Sequence, residues 1–280
     1  MNILITGGTG FIGSWLLKSI KNHNLILISS KKKKGFIKLD LKKLNFDILK
    51  KKKIDICIHL AWSNIPDYSK KNSLENYRFS VALFEYLYKN GCKKIISLGS
   101  CWEYKEDFGI KKEQNDNISN NIFGIYKKKL SKYGLKLSKK YKSKFIWFRV
   151  FYVYGDKKKG LFKNLQTALI EKKKIYLKNP YKFNDFIYIE DVIDLILNAI
   201  EKNKSGIYNL GSGTKKTTLD FCKAFSKTKK IKLNELIEYD KKSNKQTKSG
   251  IWAYMKKTKK IFSHKKFYSL NKGIIKLCKR

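Results

Sequence analysis

The chain opens with a short apolar run, Ile3-Leu4-Ile5. Thr6-Gly7-Gly8-Thr9-Gly10-Phe11-Ile12-Gly13 follows at once, and then the helix-like Ser14-Trp15-Leu16-Leu17-Lys18-Ser19-Ile20. That order reads strand, glycine turn, helix. Gly7 lets the chain turn sharply, Gly10 leaves room for a pyrophosphate against the backbone, and Gly13 lets the helix pack close on the strand. The free amides at the helix start, around Phe11 and Ile12, then face the phosphates together with the positive end of the helix dipole. Dinucleotide binding is the expectation, and it restricts the fold to sheets in which a strand feeds a helix directly.

Further strand candidates fit that restriction: Leu25–Ser29, Ile37–Leu39, Ile54–Leu60, Lys94–Gly99 and Phe145–Val150, with helix-length segments at Ser73–Asn90 and Tyr126–Tyr141. Near-continuous apolar strands alternating with helices predict an α/β fold with a doubly wound parallel sheet of Rossmann type. Right-handed crossovers put the glycine turn at the carboxyl edge, where ligands bind. After Gly155 the pattern changes. Helices over Gly160–Lys174 and Glu190–Asn203, strands at Phe186–Ile189 and Ile207–Leu210, and a lysine-rich remainder predict a small C-terminal α/β substrate lobe. The expected division is a dinucleotide-binding domain over 1–155 and a substrate lobe over 156–280, with some strands returning to the main sheet.

The formal charge of +42 comes almost wholly from lysine, spread in runs such as Lys31 to Lys34 and Lys172 to Lys174. A dedicated nucleic-acid domain mixes arginine with lysine on one element. No specific nucleic-acid partner is expected, and an anionic small substrate is the simpler use of the charge. Five scattered cysteines without a Cys-x-x-Cys read as reduced thiols and not as a metal site. No apolar run reaches the ~18–20 residues of a membrane span, and the start of the chain shows no signal-peptide pattern. A cytoplasmic protein with no membrane partner is expected. His23, His59 and His264 read as structural or surface residues.

A series of motifs then follows in order: Asp40-Leu41, His59-Leu60-Ala61-Trp62, Asn76, Gly99-Ser100-Cys101-Trp102-Glu103-Tyr104, Arg149-Val150-Phe151-Tyr152-Val153-Tyr154-Gly155, Asp185 to Val192, and Tyr208-Asn209-Leu210-Gly211-Ser212-Gly213. With the glycine turn, they make the chain resemble, nearly end to end, the extended short-chain dehydrogenase/reductases that epimerise, dehydrate or reduce nucleotide sugars. Leu-Ala-Trp, Gly-Ser-Cys-x-Glu-Tyr and Arg-x-Phe-Tyr-x-Tyr-Gly look most similar to the 4-keto-deoxysugar reductases of the CDP-abequose synthase group.

The resemblance implies roles. Gly7, Gly10, Phe11, Ile12, Gly13, Asp40, Leu41, Leu60, Ala61, Lys127 and Phe151 would hold the cofactor, with Asp40 at the adenine. By its residues alone, Asp40 can equally cap the turn after it. Tyr152 and Asn209 would line the sugar-nucleotide cleft, and Ser100 would polarise the substrate carbonyl. The second strand ends Ser29-Ser30-Lys31-Lys32, with no acid to accept a ribose 2′-hydroxyl. Ser30 and Lys31 therefore favour NADP(H), with NAD(H) still open. Asn184 stands where relatives carry a phosphate-clamping arginine, so Lys178 or Lys182 would replace it.

The family's Tyr-x-x-x-Lys passes the proton and holds the nicotinamide ribose. Here it reads Phe123-Gly124-Ile125-Tyr126-Lys127. The lysine is present and the phenol is not. Tyr268–Lys272 repeats the spacing but lies far from Ser100 in sequence. Three readings stay open: Ser100 or a water on Lys127 gives the proton, Tyr126 swings in from the next turn, or the protein binds its ligands without turnover. The expected function is NADP(H)-linked reduction or epimerisation at a keto carbon of a nucleotide-linked deoxysugar, in the service of surface polysaccharide synthesis. The alternative is a non-catalytic binder of cofactor and sugar nucleotide. The resemblance also implies a homodimer through Ser73–Asn90 and Tyr126–Tyr141.

Overall fold

The computed structural model describes residues 1–105, 107–115, 119–156, 158–240, 249–262 and 266–279. His264 lies outside them. Seven parallel strands form the central sheet: β1 (Asn2–Thr6), β2 (Asn24–Ser29), β3 (Ile37–Lys38), β4 (Ile56–His59), β5 (Lys94–Leu98), β6 (Lys144–Val150) and β7 (Gly206–Leu210). Their spatial order is β7-β6-β5-β4-β1-β2-β3. The order reverses between β1 and β4, which opens a crevice at their carboxyl ends. Thr6 pairs with His59, and His59 with Ser97, so those ends stand level.

The strands are buried on both faces, and their side chains sort by alternation. Ile3, Ile5, Ile56, Ile58, Ile96, Leu98, Ile146 and Phe148 meet one layer, built from α1 (Phe11–Ser19) and, further along the chain, the helix Ile189–Glu201. Leu4, Cys57, Ile95, Phe145 and Trp147 meet the other, α2 (Lys70–Lys89) and α3 (Ile122–Lys140), through Phe79, Leu83, Phe84, Leu130 and Leu137. The crossovers thus wind both ways, as the alternation predicted.

α3 begins four residues before the expected Tyr126, because Asn121 accepts the Gly124 amide proton and caps it. α2 likewise starts early, at a Ser69 cap that accepts the Asn72 N–H. β7 belongs to the later half of the chain yet pairs along its whole length with β6. Beside the sheet lie the helices Gly160–Glu171, Thr218–Lys229 and Leu270–Lys279 and several two- and three-residue strand pairs. One of these pairs, Gly109–Lys111 with Ile251–Ala253, joins segments from both halves. Asp185, fully buried, gathers the amides of Ser212, Gly213 and Ala253 and the Ser212 hydroxyl, pinning the Gly-Ser-Gly turn.

Candidate active site

The glycine turn has no slack. Gly7 is left-handed (φ +69°), and a Cβ there would stand 2.7 Å from the Ala61 nitrogen. A Cβ on Gly13 would overlap the Gly7 carbonyl and sit 2.7 Å from the Gly8 Cα. Gly10 has only one such neighbour, at 3.3 Å. It precedes α1 with no side-chain cap, so the amides of Phe11, Ile12 and Gly13 lack helical acceptors. Phe11 and Ile12 put their side chains on the core; their backbone is what faces outward.

Beside this turn is a cleft of about 430 Å³ lined by Gly7, Gly10, Ser30, Asp40, Leu41, Leu60 and Ala61, seven of the residues assigned to the cofactor. Asp40 lines the cleft and also accepts the Lys42 amide proton, capping the turn after it. Lys31 does not fit its assignment. It is exposed outside the lining, and its backbone turns onto the Ser29 hydroxyl. The lysine that lines the cleft is Lys42, ion-paired to Glu75 at 2.7 Å. Phe151 is buried against Tyr104, away from the cleft.

Ser100 follows β5 and caps the turn Cys101–Glu103. Its oxygen accepts the Trp102 amide proton. Glu103 is wholly buried and satisfied. Its carboxylate accepts from the Ser100 amide (2.9 Å), the Trp147 indole (2.8 Å) and Arg149 Nε (2.9 Å). This charge-assisted set fixes where Ser100 stands. Gly124 lets α3 settle on the same turn, since a Cβ there would lie 2.6 Å from the Trp102 carbonyl carbon. Burial pushes the Cys101 thiol up to about 12, with the Asp185 charge adding to it, so it is no nucleophile.

Lys127 projects from α3 beneath the sheet edge. Its Nζ donates to the Leu98 carbonyl (2.9 Å) and lies 3.8 Å from the centre of the Trp62 ring. Burial draws it down to about 7, against the pull of Glu103. Trp62 lines the cleft beside the glycine turn and Lys127 does not, so Lys127 is one ring removed from that cleft. His59, held between the Thr6 hydroxyl and the Ser80 hydroxyl, is lowered to about 3 by burial and then by Lys127. It is the neutral structural histidine expected.

Phe123 turns inward with Lys127. Its ring meets Trp62 (5.4 Å), Tyr68 (5.1 Å) and Trp102 (5.9 Å), all edge-on. Tyr126 packs on Tyr77 of α2, a contact it would have to leave in order to swing in. Tyr268, just before the C-terminal helix, accepts from Lys276 Nζ (2.8 Å) and packs on Tyr188.

Tyr152 is half-buried with its hydroxyl 3.5 Å from the Trp102 indole nitrogen. Asn209 is a correction. Its carbonyl accepts from Tyr104 (2.6 Å) and its amide donates to the Lys111 and Tyr254 carbonyls, so its polar atoms tie β7 to neighbouring loops. Asn184 is likewise spent on the Lys182 carbonyl and Thr218. Sequence reasoning did not single out Trp62 and Lys42, which line the cleft, or Tyr68, which packs on Trp102 and Phe123. Trp62 was visible only as the unusual fourth residue of His-Leu-Ala-Trp, and Tyr68 carried no motif at all.

A parallel doubly wound sheet with a phosphate-shaped turn at its switch point defines a Rossmann-type α/β protein. The model of the NAD dependent epimerase/dehydratase family matches residues 3–211, and the chain belongs to that family. It is 29% identical over 266 residues to the dTDP-4-dehydro-6-deoxyglucose reductase of Escherichia coli, covering 83% of this chain and 82% of the relative. Its fold is similar to that of UDP-glucose 4-epimerase from Thermotoga maritima, solved with UDP-glucose (TM-score 0.84, 20% identity, 98% and 96% of the two chains). It is similar too to UDP-glucuronic acid 4-epimerase from Bacillus cereus, solved with UDP-glucuronic acid and NAD (TM-score 0.81, 22% identity, 98% and 96%). Among the described residues no helix is long and apolar enough to cross a membrane.

Proposed function

We propose that the protein is an NADP(H)-linked reductase of a keto carbon in a nucleotide-linked deoxysugar, acting in the cytoplasm to supply surface polysaccharide synthesis. The observation that carries the reading is one of placement. The cleft at the glycine turn and the Ser100 hydroxyl open at one sheet edge with only β4 between their strands. The residues present fit a dinucleotide, because Gly7 and Gly13 leave a cradle that any Cβ would fill and the Phe11 to Gly13 amides point to an anion. Such a cofactor, when bound, supplies the hydride.

The chain's own part is to bind, orient and polarise. With its oxygen held by the Trp102 amide, Ser100 has its O–H left to donate to the carbonyl. Lys127 sets the local potential behind Trp62. Tyr152 and the rings of Trp102 and Tyr68 offer apolar faces and a hydroxyl to a sugar. Ser30 and Lys42 favour a 2′-phosphate, while the Bacillus cereus relative carries NAD. Epimerisation at the same carbon is the companion chemistry. A homodimer through α2 and α3 is part of the same reading, with the half-buried Tyr133 and Tyr141 on the shared face while Leu137 packs on the sheet; sedimentation gives its mass directly.

Phe123 favours a second reading, a binder without turnover. The deciding experiment follows NADPH and NADH oxidation by wild type and Phe123→Tyr with CDP-, dTDP- and GDP-linked 4-keto-6-deoxysugars. Turnover by wild type supports the reductase. An inert wild type with an active Phe123→Tyr supports the binder, and two inert proteins overturn the substrate class.

A further inference from the structure

Reducing a ketone leaves an alkoxide that must take a proton, and the groups around Ser100 narrow which can give it. Phe123 has none. Cys101 is sealed in the core. Tyr104 is buried with its hydroxyl donated to Asn209. Tyr126 faces α2. Lys127 lies behind Trp62 with its nitrogen on a carbonyl. Two phenols then stand at the Ser100 turn: Tyr152, whose hydroxyl meets the Trp102 indole, and Tyr68, whose ring packs on both Trp102 and Phe123 and so lies beside the position where the phenol is missing. The Tyr68 ring centre is 5.1 Å from that of Phe123 and 4.9 Å from that of Trp102, whose amide holds the Ser100 oxygen.

The segment that carries Tyr68 is anchored on both sides. The Asn72 amide donates to the carbonyls of Ser63 and Asp67, the Asn76 side chain accepts the Ser63 amide proton, and Ser69 caps α2. Tyr68 is half-buried and its hydroxyl has no hydrogen-bond partner among the described residues.

We propose that Tyr68, presented from the loop before α2, is the catalytic acid of this protein, giving to the sugar alkoxide the proton that Phe123 cannot. The proposal rests on the reductase reading. The hydride pair enters the carbonyl carbon, the C=O π pair moves to oxygen, and that oxygen takes the Tyr68 proton. The nicotinamide is oxidised, the ketone is reduced, and the phenolate recovers a proton from water at its solvent-facing side. An alkoxide is a far stronger base than a phenolate, so the transfer runs downhill even though burial raises the Tyr68 phenol above its usual value.

The test compares wild type, Tyr68→Phe, Tyr126→Phe and the double variant Tyr68→Phe/Phe123→Tyr. The probes are NADPH and the dTDP-linked 4-keto-6-deoxysugar. Cofactor binding is read separately by quenching of tryptophan fluorescence, since Trp62 lines the cleft. The expected result is unchanged NADPH affinity in all four, wild-type turnover in Tyr126→Phe, and a kcat lower by about 10²–10⁴-fold in Tyr68→Phe. Moving the phenol across the ring contact in the double variant restores much of that loss, which a merely structural tyrosine would not allow. Full activity in Tyr68→Phe, or a double variant as slow as the single one, overturns the role of Tyr68 and leaves the reductase reading standing. A wild type that binds NADPH and the sugar nucleotide but never oxidises the cofactor overturns both.

Discussion

The glycine turn and the Ser100 corner sit on one sheet edge, with only β4 between their strands, yet they are built on different terms. The turn is made of backbone. Its geometry follows from missing side chains: at Gly7 and Gly13, neighbours within 2.7 Å of a Cβ leave no alternative, while Gly10 keeps space open. The corner is made of side chains gathered from four separate segments: Trp62 after β4, Tyr68 before α2, Trp102 after β5 and Phe123 on α3. A backbone site tolerates no drift and stays recognisable. A side-chain site can exchange its parts while its frame, here Glu103 with Arg149, Trp147 and Ser100, holds still.

The sharpest way to break that contrast is to remove the frame. Glu103→Ala leaves Arg149 buried and unpaired, and is expected to cost about 3–5 kcal/mol of stability, read by urea denaturation. A loss no larger than that of a surface substitution would show that the corner is not held by its buried carboxylate. Next comes the turn. Gly13→Ala drives a Cβ into the Gly7 carbonyl and should cost about 1–3 kcal/mol, together with cofactor affinity measured by calorimetry. Gly10→Ala meets only one atom at 3.3 Å and should spare stability while still weakening the cofactor. Equal stability losses at the two positions would refute the close-packing account.

The smallest effect reports on Lys127. Its folded value of about 7 lies below the 10.5 of an unperturbed lysine. Between those values the unfolded chain carries the extra proton, so stability rises with pH across the window and the penalty is complete below about 7. The slope contributed cannot exceed about 1.4 kcal/mol per pH unit. Lys127→Met should flatten the wild-type curve by that component, seen as a shallower rise of melting temperature with pH. Parallel curves for the two proteins would mean that Lys127 keeps its charge beside Trp62.

The same contrast explains what could be read from the amino acids alone. The strands, their parallel order and the turn were legible because alternation, apolar runs and glycines act locally. Ser100 and Asp40 were legible because each stands next to the strand or turn that positions it. Asn209 was misplaced because motif position says nothing of the Tyr104 hydroxyl and two carbonyls that claim its amide. Lys31 was named because it follows β2, yet proximity in sequence is not proximity to the cleft, which Lys42 lines instead. The ring cluster at Phe123 stayed hidden because its members lie as far apart as residues 62 and 123, and only the crossover through α2 brings them together.

The returning strand β7 has a consequence for how the protein is made. β6 keeps an open edge until residues 206–210 arrive to pair with it. Helix Ile189–Glu201, which covers the same sheet face as α1, also comes late. During synthesis, then, the N-terminal half emerges with an apolar face and a bare edge, and the sheet completes only when 210 of the 280 residues have been made. A chain stopped at 155 would present an adhesive ribbon to its neighbours rather than a smaller working protein.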